Sequence, residues 1–206
     1  MKQVERSRLV RQRILDAAMH EFARAGYEGA SLNVALRAAG IAKGSVYHQF
    51  RDRDEVYLAC AGRCFHDLAE CIAEMEPKLQ GSVQERLERY FDCRLGFFES
   101  HPDHAGMFLD ALLPHPEPIA SGIASARWPF DEANRAVLAG IAGQERLRDG
   151  LDPDEVWQGI IAYIDFFNIA HARKSGAEMD AAEFLRSREE ACHRQIDMLL
   201  FGVLAR

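Results

Sequence analysis

No stretch of the 206-residue sequence is long and apolar enough to span a bilayer as a helix. That excludes a helical membrane protein. Met1 to Arg13 is charged and lacks the apolar run of a secretory signal, so the expected location is the cytoplasm. Cysteine is sparse: five residues, an odd number, scattered without tight spacing. That argues against a disulfide framework and fits reduced thiols. Strand-like alternation, internal repeats and low-complexity segments are missing, which leaves sheets and solenoids without support. GxGxxG, P-loop, HExxH, GxSxG and paired CxxC patterns are also missing, so nothing points to an enzyme, a cofactor or a metal.

What is present is an uneven charge. The net charge is −7, yet residues 1–55 hold ten Lys/Arg against seven Asp/Glu, a balance of +3. The remainder holds fifteen against twenty-five, a balance of −10. A basic head on an acidic body suggests that only the head meets phosphates.

Apolar periodicity predicts helices throughout, an all-α chain. They are expected over about Arg6–Ala25, Leu32–Ala39, Lys43–Phe50, Asp54–Met75, Val83–Ser100, Ala105–Leu113, Ile119–Ser125, Pro129–Leu147, Pro153–Lys174 and Ala181–Ala205. Gly26 and Gly40 are stop signals, and Ser31 is the expected side-chain N-cap of the second helix. Breaks are expected at Pro102, the Pro114–Pro118 run, Gly150 with Pro153, and Gly176, and Pro129 is expected to open a helix of its own. The organisation predicted is a DNA-binding head, residues 1–53, running without a linker into a helical body, residues 54–206.

Two short helices joined at Gly40 match a helix-turn-helix. A helix entering the major groove needs small or polar residues on its leading face. Here that face reads Ala42, Lys43, Gly44, Ser45. Gly44 costs a helix about 1 kcal/mol relative to Ala, and close approach to DNA would explain it. Tyr47 and His48 follow, where a hydroxyl and an imidazole reach phosphate oxygens, as Ser31 can from the other helix. The alternative is a helical hairpin used only for packing, which gives Lys43, Tyr47 and His48 no role.

The run Arg13-Ile14-Leu15-Asp16-Ala17-Ala18, then Phe22, Gly26-Tyr27, Ala39-Gly40-Ile41, Gly44-Ser45-Val46-Tyr47-His48 and Phe50, resembles the TetR family of transcriptional regulators. The resemblance covers about Arg11 to Leu58. It implies a homodimer, an N-terminal three-helix DNA-binding domain and a C-terminal domain that binds an effector and dimerises. It also implies base-facing positions for Asn33, Lys43 and Tyr47, and phosphate-facing positions for Ser31, Tyr47, His48 and Arg53. Three positions depart from the family pattern. Ala35-Leu36 stands where Ile-Ala is usual, Val34 where a polar residue is usual, and Arg53 where Lys is frequent.

The body is rich in large side chains mixed with polar groups. The candidate effector-contacting residues are His66, Cys93, Phe97, His104, Phe108, Trp128, Tyr163 and Phe167, around a largely apolar ligand. The bland reading of each is core packing. The stripes Val156, Ile160, Ile164, Phe167 and Cys192, Ile196, Leu199, Val203 suit a dimer face on the last two helices, or the chain's own core. Cys60, Cys64 and Cys71 share one helix face, and thiols on one helix form a switch only if Cys93 or Cys192 comes near. His101-Pro102-Asp103-His104 holds three potential ligands, yet a His-Pro turn at a helix start needs no metal. The function expected is a repressor on a palindromic operator, released by a small effector. The alternative is a DNA-binding regulator controlled by cysteine oxidation or a protein partner.

Overall fold

The computed structural model describes residues 3–142, 147–172 and 181–203. Among them the order is α1 (Gln3–Gly29), α2 (Leu32–Ala38), α3 (Lys43–Tyr47), α4 (Arg53–Met75), a 3-10 turn (Glu76–Lys78), α5 (Val83–Ser100), α6 (Pro102–Ala111), α7 (Ile119–Ala142), α8 (Pro153–Ala172) and α9 (Ala181–Val203). The all-helical expectation holds. None of these helices is long and apolar enough to cross a membrane. The expected stretches 143–146, 173–174 and 204–205 and the expected break at Gly176 lie outside the described residues.

Four elements differ from expectation. α1 runs from Gln3 to Gly29 rather than stopping before Gly26, which kinks it instead. α6 starts at Pro102 rather than Ala105, because His101 takes the N-cap and Pro102 sits in the first turn, where its missing N–H costs nothing. α3 ends at Tyr47, and a turn carries the chain to Phe50. Pro129 does not break the chain: α7 runs through it from Ile119 to Ala142. A proline inside a helix costs about 3 kcal/mol. Apolar burial on each side offsets it, Ile119 and Ile123 before and Phe130, Val137, Leu138 and Ile141 after.

Contacts group the chain into two units, Met1–Phe65 with His101–Arg127, and His66–Ser100 with Trp128–Arg206. In the first unit, α1 buries Ile14, Ala18, Met19 and Phe22. Against them lie Leu36 of α2, Val46 of α3 and Val56, Tyr57 and Cys60 of α4, all buried. α6 packs along α1 so closely that a Cβ on Gly106 would stand 2.6 Å from the Ala23 carbonyl oxygen.

Gly26 sets the entry into the helix-turn-helix. Its φ of 71° and ψ of 173° kink α1, in a region that side chains other than glycine's do not tolerate. The Asp110 carboxylate of α6 then receives the Tyr27 backbone N–H at 3.1 Å and the Tyr57 hydroxyl at 2.7 Å. Burial, with the Asp110 charge beside it, raises the Tyr57 phenol and keeps it a donor.

In the second unit α5 and α8 pack on α9. Its core includes Leu87, Tyr90, Phe91 and Phe98 of α5, Ile160 and Phe167 of α8, and Leu185, Cys192, Ile196 and Leu200 of α9. Within it lies a buried ionic cluster. Arg94 grips Glu189 at 2.7 and 3.0 Å, and Arg188 reaches the same carboxylate at 2.7 Å. Burial alone would raise Glu189, but Arg94 and then Arg188 outweigh it, and its carboxyl is held below the usual range.

Candidate nucleic-acid interface

The helix-turn-helix is built by burying one face of two short helices. Ala35 and Leu36 both point inward on α2, and Val46 is the buried anchor of α3. The unusual Ala35-Leu36 order therefore still fills the core, and Val34 beside it is 45% exposed, where its apolar side chain displaces no packing. Gly40 makes the turn at φ 65°, and the Ile41 N–H closes it on the Leu36 carbonyl at 2.8 Å.

α1 holds this pair in place. Arg13 donates to the Ala39 carbonyl at 3.2 Å, and Arg11 to the Gln49 carbonyl at 3.3 Å. The Arg11 guanidinium also lies 4.1 Å over the Phe50 ring. Gln49 donates to the Ser7 hydroxyl at 2.8 Å.

Ser31 takes extended backbone at the α2 N-cap, but its side chain makes no cap bond, contrary to the sequence reading. The reason is local: its backbone N–H is drawn to the Glu21 carboxylate at 3.0 Å. That bond first, and then the bond from Arg24, lowers the Glu21 carboxyl below its usual range.

The sequence-predicted site residues fall on two adjoining depressions. Ser31, Asn33, Lys43, Tyr47 and Arg53 line one of about 200 Å³, floored by Leu36 and Val46. Ser45 and His48 line another of about 820 Å³. Lys43, Gly44, Tyr47 and His48 are exposed, and the Lys43 ammonium stands 5.8 Å from the Tyr47 ring centre. A Cβ on Gly44 would meet no atom within 4 Å, so nothing in the protein itself requires glycine there. Arg53 is more constrained: it donates to the Tyr27 carbonyl and lies 4.7 Å over the Tyr27 ring.

The rest of the larger depression is residues the sequence reading passed over: Arg6, Ser7, Arg8, Val10, Arg11 and Gln49. The only sequence signal for them was the positive balance of the head. Polar side chains on a basic shelf flanking a short exposed helix are what backbone-positioning contacts to a nucleic acid need.

The candidate effector residues are dispersed. His104 and Phe108 are buried in the first unit, and Phe108 packs 6.0 Å from Phe65. The other six belong to the second unit. There Phe97 and Phe167 are buried, Cys93 and Tyr163 half-buried, and His66 and Trp128 exposed. The groups at the start of α6 point different ways. Asp103 turns to His20 at 3.0 Å, and His104 is buried. Of the stripes on the last two helices, Ile160, Phe167, Cys192 and Ile196 are buried within the chain, so they serve its own core. α8 and α9 leave other apolar side chains exposed, namely Phe166, Met198 and Phe201. The Val203 side chain lies outside the described residues.

Among the described residues a helix-turn-helix is followed in sequence by further helices. Residues 14–60 match the model of the bacterial regulatory proteins of the tetR family. That match takes in the helix-turn-helix and its flanking helices, less than a quarter of the chain. The chain is similar to the HTH-type transcriptional repressor AcnR of Corynebacterium efficiens, 38% identical over 82 residues. That match covers 39% of this chain and 43% of the repressor, so the likeness spans less than half of either. The fold extends further. The fatty acid degradation regulator FadR from Bacillus halodurans superposes with a TM-score of 0.67 at 19% identity, covering 93% of this chain and 98% of that one. FadR from Bacillus subtilis, solved in complex with stearoyl-CoA, gives 0.64 at 19% identity, over 88% and 96%.

Proposed function

We propose that the protein is a repressor that binds a palindromic operator as a dimer and is released by a small, largely apolar effector. In this reading residues 1–53 read DNA and residues 54–206 bind the effector and dimerise through the last two helices. The observation that carries it is the convergence of Ser31, Asn33, Lys43, Tyr47 and Arg53 on one depression. Ser45 and His48 face the arginine-lined depression next to it. Asn33, Lys43 and Tyr47 meet base edges, and the serines, His48 and the α1 arginines hold phosphates.

The effector part rests on the make-up of the second unit and on the likeness of fold. The second unit holds Cys93, Phe97, Tyr163 and Phe167, an apolar set with polar groups among it. The stearoyl-CoA of the Bacillus subtilis regulator supplies apolar mass of that kind on the same fold. Dimerisation would use the exposed Phe166, Met198 and Phe201 rather than the buried stripes. Release follows if the effector binds best to a conformation in which the two heads no longer match the half-site spacing.

Duplexes enriched from a random pool by the wild-type chain give the probe. In fluorescence anisotropy, Lys43→Ala and Tyr47→Ala should each weaken binding about 5- to 150-fold, as loss of a base contact of about 1–3 kcal/mol requires. Wild-type affinity and wild-type base preference in both variants would refute the reading.

A further inference from the structure

Three of the five cysteines are buried: Cys60, Cys64 and Cys192. The other two, Cys71 and Cys93, are partly exposed, and they face each other. Cys71 lies in the last turns of α4 and Cys93 in the middle of α5. Their sulfurs stand 3.2 Å apart, and the Cys93 thiol also reaches the Cys71 backbone carbonyl at 3.6 Å. Sequence spacing leaves Cys71 with its neighbours on one helix; the fold gives it a partner on another.

We propose that Cys71 and Cys93 form a modification site for hydroperoxides, which close it to a disulfide that ties α4 to α5. The bond asks little of the structure. The sulfurs have to approach by only about 1.2 Å to reach bonding distance. Both residues are half-buried, whereas the other three cysteines are buried.

Either sulfur can be the donor in the contact between them, so either can be oxidised first. Where Cys71 reacts first, its sulfur, attacking as the thiolate, takes the terminal oxygen of the hydroperoxide. The O–O bond breaks, Cys71 becomes a sulfenic acid, and the departing alkoxide or hydroxide picks up the proton that Cys71 released. The Cys93 sulfur then attacks the Cys71 sulfur, the S–O bond breaks, and hydroxide leaves with the Cys93 proton as water. Two thiols and one hydroperoxide give one disulfide, one alcohol or water, and one further water. The pair loses two electrons and the hydroperoxide gains them. Cys60, Cys64 and Cys192 are buried, which shields them from a hydroperoxide in solvent.

The test treats the reduced full chain with hydrogen peroxide, alkylates the remaining thiols under denaturing conditions, and maps the peptides by mass spectrometry. The expected product has lost two hydrogen atoms, keeps three alkylatable thiols, and carries a Cys71–Cys93 cross-link that dithiothreitol reverses. The melting temperature should rise by about 5–10 °C on oxidation, as cross-linking a loop of this length implies. Cys71→Ser and Cys93→Ser should each abolish the cross-link and the shift. With either Cys71 or Cys93 alone remaining of the pair, sulfenic acid should be trapped there by dimedone. Five alkylatable thiols after treatment, a cross-link involving Cys60, Cys64 or Cys192, or an intermolecular bond would each overturn the proposal.

Discussion

Gly26→Ala should destabilise the protein by about 3–5 kcal/mol, in two separable parts. The first is backbone strain. At φ 71° and ψ 173° Gly26 occupies a region essentially reserved for glycine, and holding alanine there costs about 1–3 kcal/mol. The second is steric. An alanine Cβ would stand 2.7 Å from Asp110 Oδ1, so the carboxylate must move. Moving it loosens the bonds from the Tyr27 N–H and the Tyr57 hydroxyl, and a hydrogen bond to a charged group is worth about 1.5–3 kcal/mol. Circular dichroism melts should show a drop of about 8–15 °C for a chain of this size. Asp110→Ala separates the parts: it opens the space but leaves the backbone strained. In that background Gly26→Ala should cost only about 1–3 kcal/mol, the strain alone. A Gly26→Ala melt within a degree of wild type would refute the strain argument. An equal cost in both backgrounds would refute the role given to Asp110.

Other outcomes follow from single contacts. Gly44→Ala should stabilise the free protein by up to about 1 kcal/mol in chemical denaturation, since its Cβ meets nothing, and yet weaken operator binding by excluding close approach. Operator affinity unchanged in that variant would show that Gly44 does not face DNA. Arg6→Ala and Arg8→Ala should each reduce the slope of log affinity against log salt by about 0.9 while leaving base preference intact. An unchanged slope would remove α1 from the interface. Glu189→Ala, measured by urea unfolding, should cost about 3–5 kcal/mol, because it takes their shared carboxylate from two buried guanidiniums. Glu21 titrates lower in the folded chain than its ordinary 4.5, so its contribution is complete above that pH and lost as pH falls through the lowered value. Glu21→Gln should therefore flatten part of the acid limb of a stability–pH profile, and a profile parallel to wild type would contradict the Ser31 bond.

How much of this was legible in the sequence depends on how local each feature is. The helix-turn-helix could be read because its signals sit within twenty residues: Gly40 in the turn, Val46 inward, Lys43 and Tyr47 outward. The arginines of α1 could not. Arg6 and Arg8 reach the reading head only because Gly26 bends the chain back and Arg11, Arg13 and Ser7 bind it to the helix-turn-helix. Pro129 misled for the opposite reason. A local rule predicts a break, and burial on either side of it outweighs the rule. Aromatic spacing likewise marks burial without distinguishing a packed core from a binding cavity. That is why Phe108 and Phe167, chosen on the same grounds, lie in different units.

The thiols show where that limit lies. Periodicity within α4 lines up Cys60, Cys64 and Cys71 on one face, yet it says nothing about the register between α4 and α5. Cys60 donates to the Leu15 carbonyl of α1 and Cys64 to the His104 carbonyl of α6, each thiol partnered by backbone. Only Cys71 is left opposite another sulfur. Within one helix, then, chemically equal residues separate into inert packing and a reactive pair. The separation arises in the tertiary structure, since spacing alone treats the three alike.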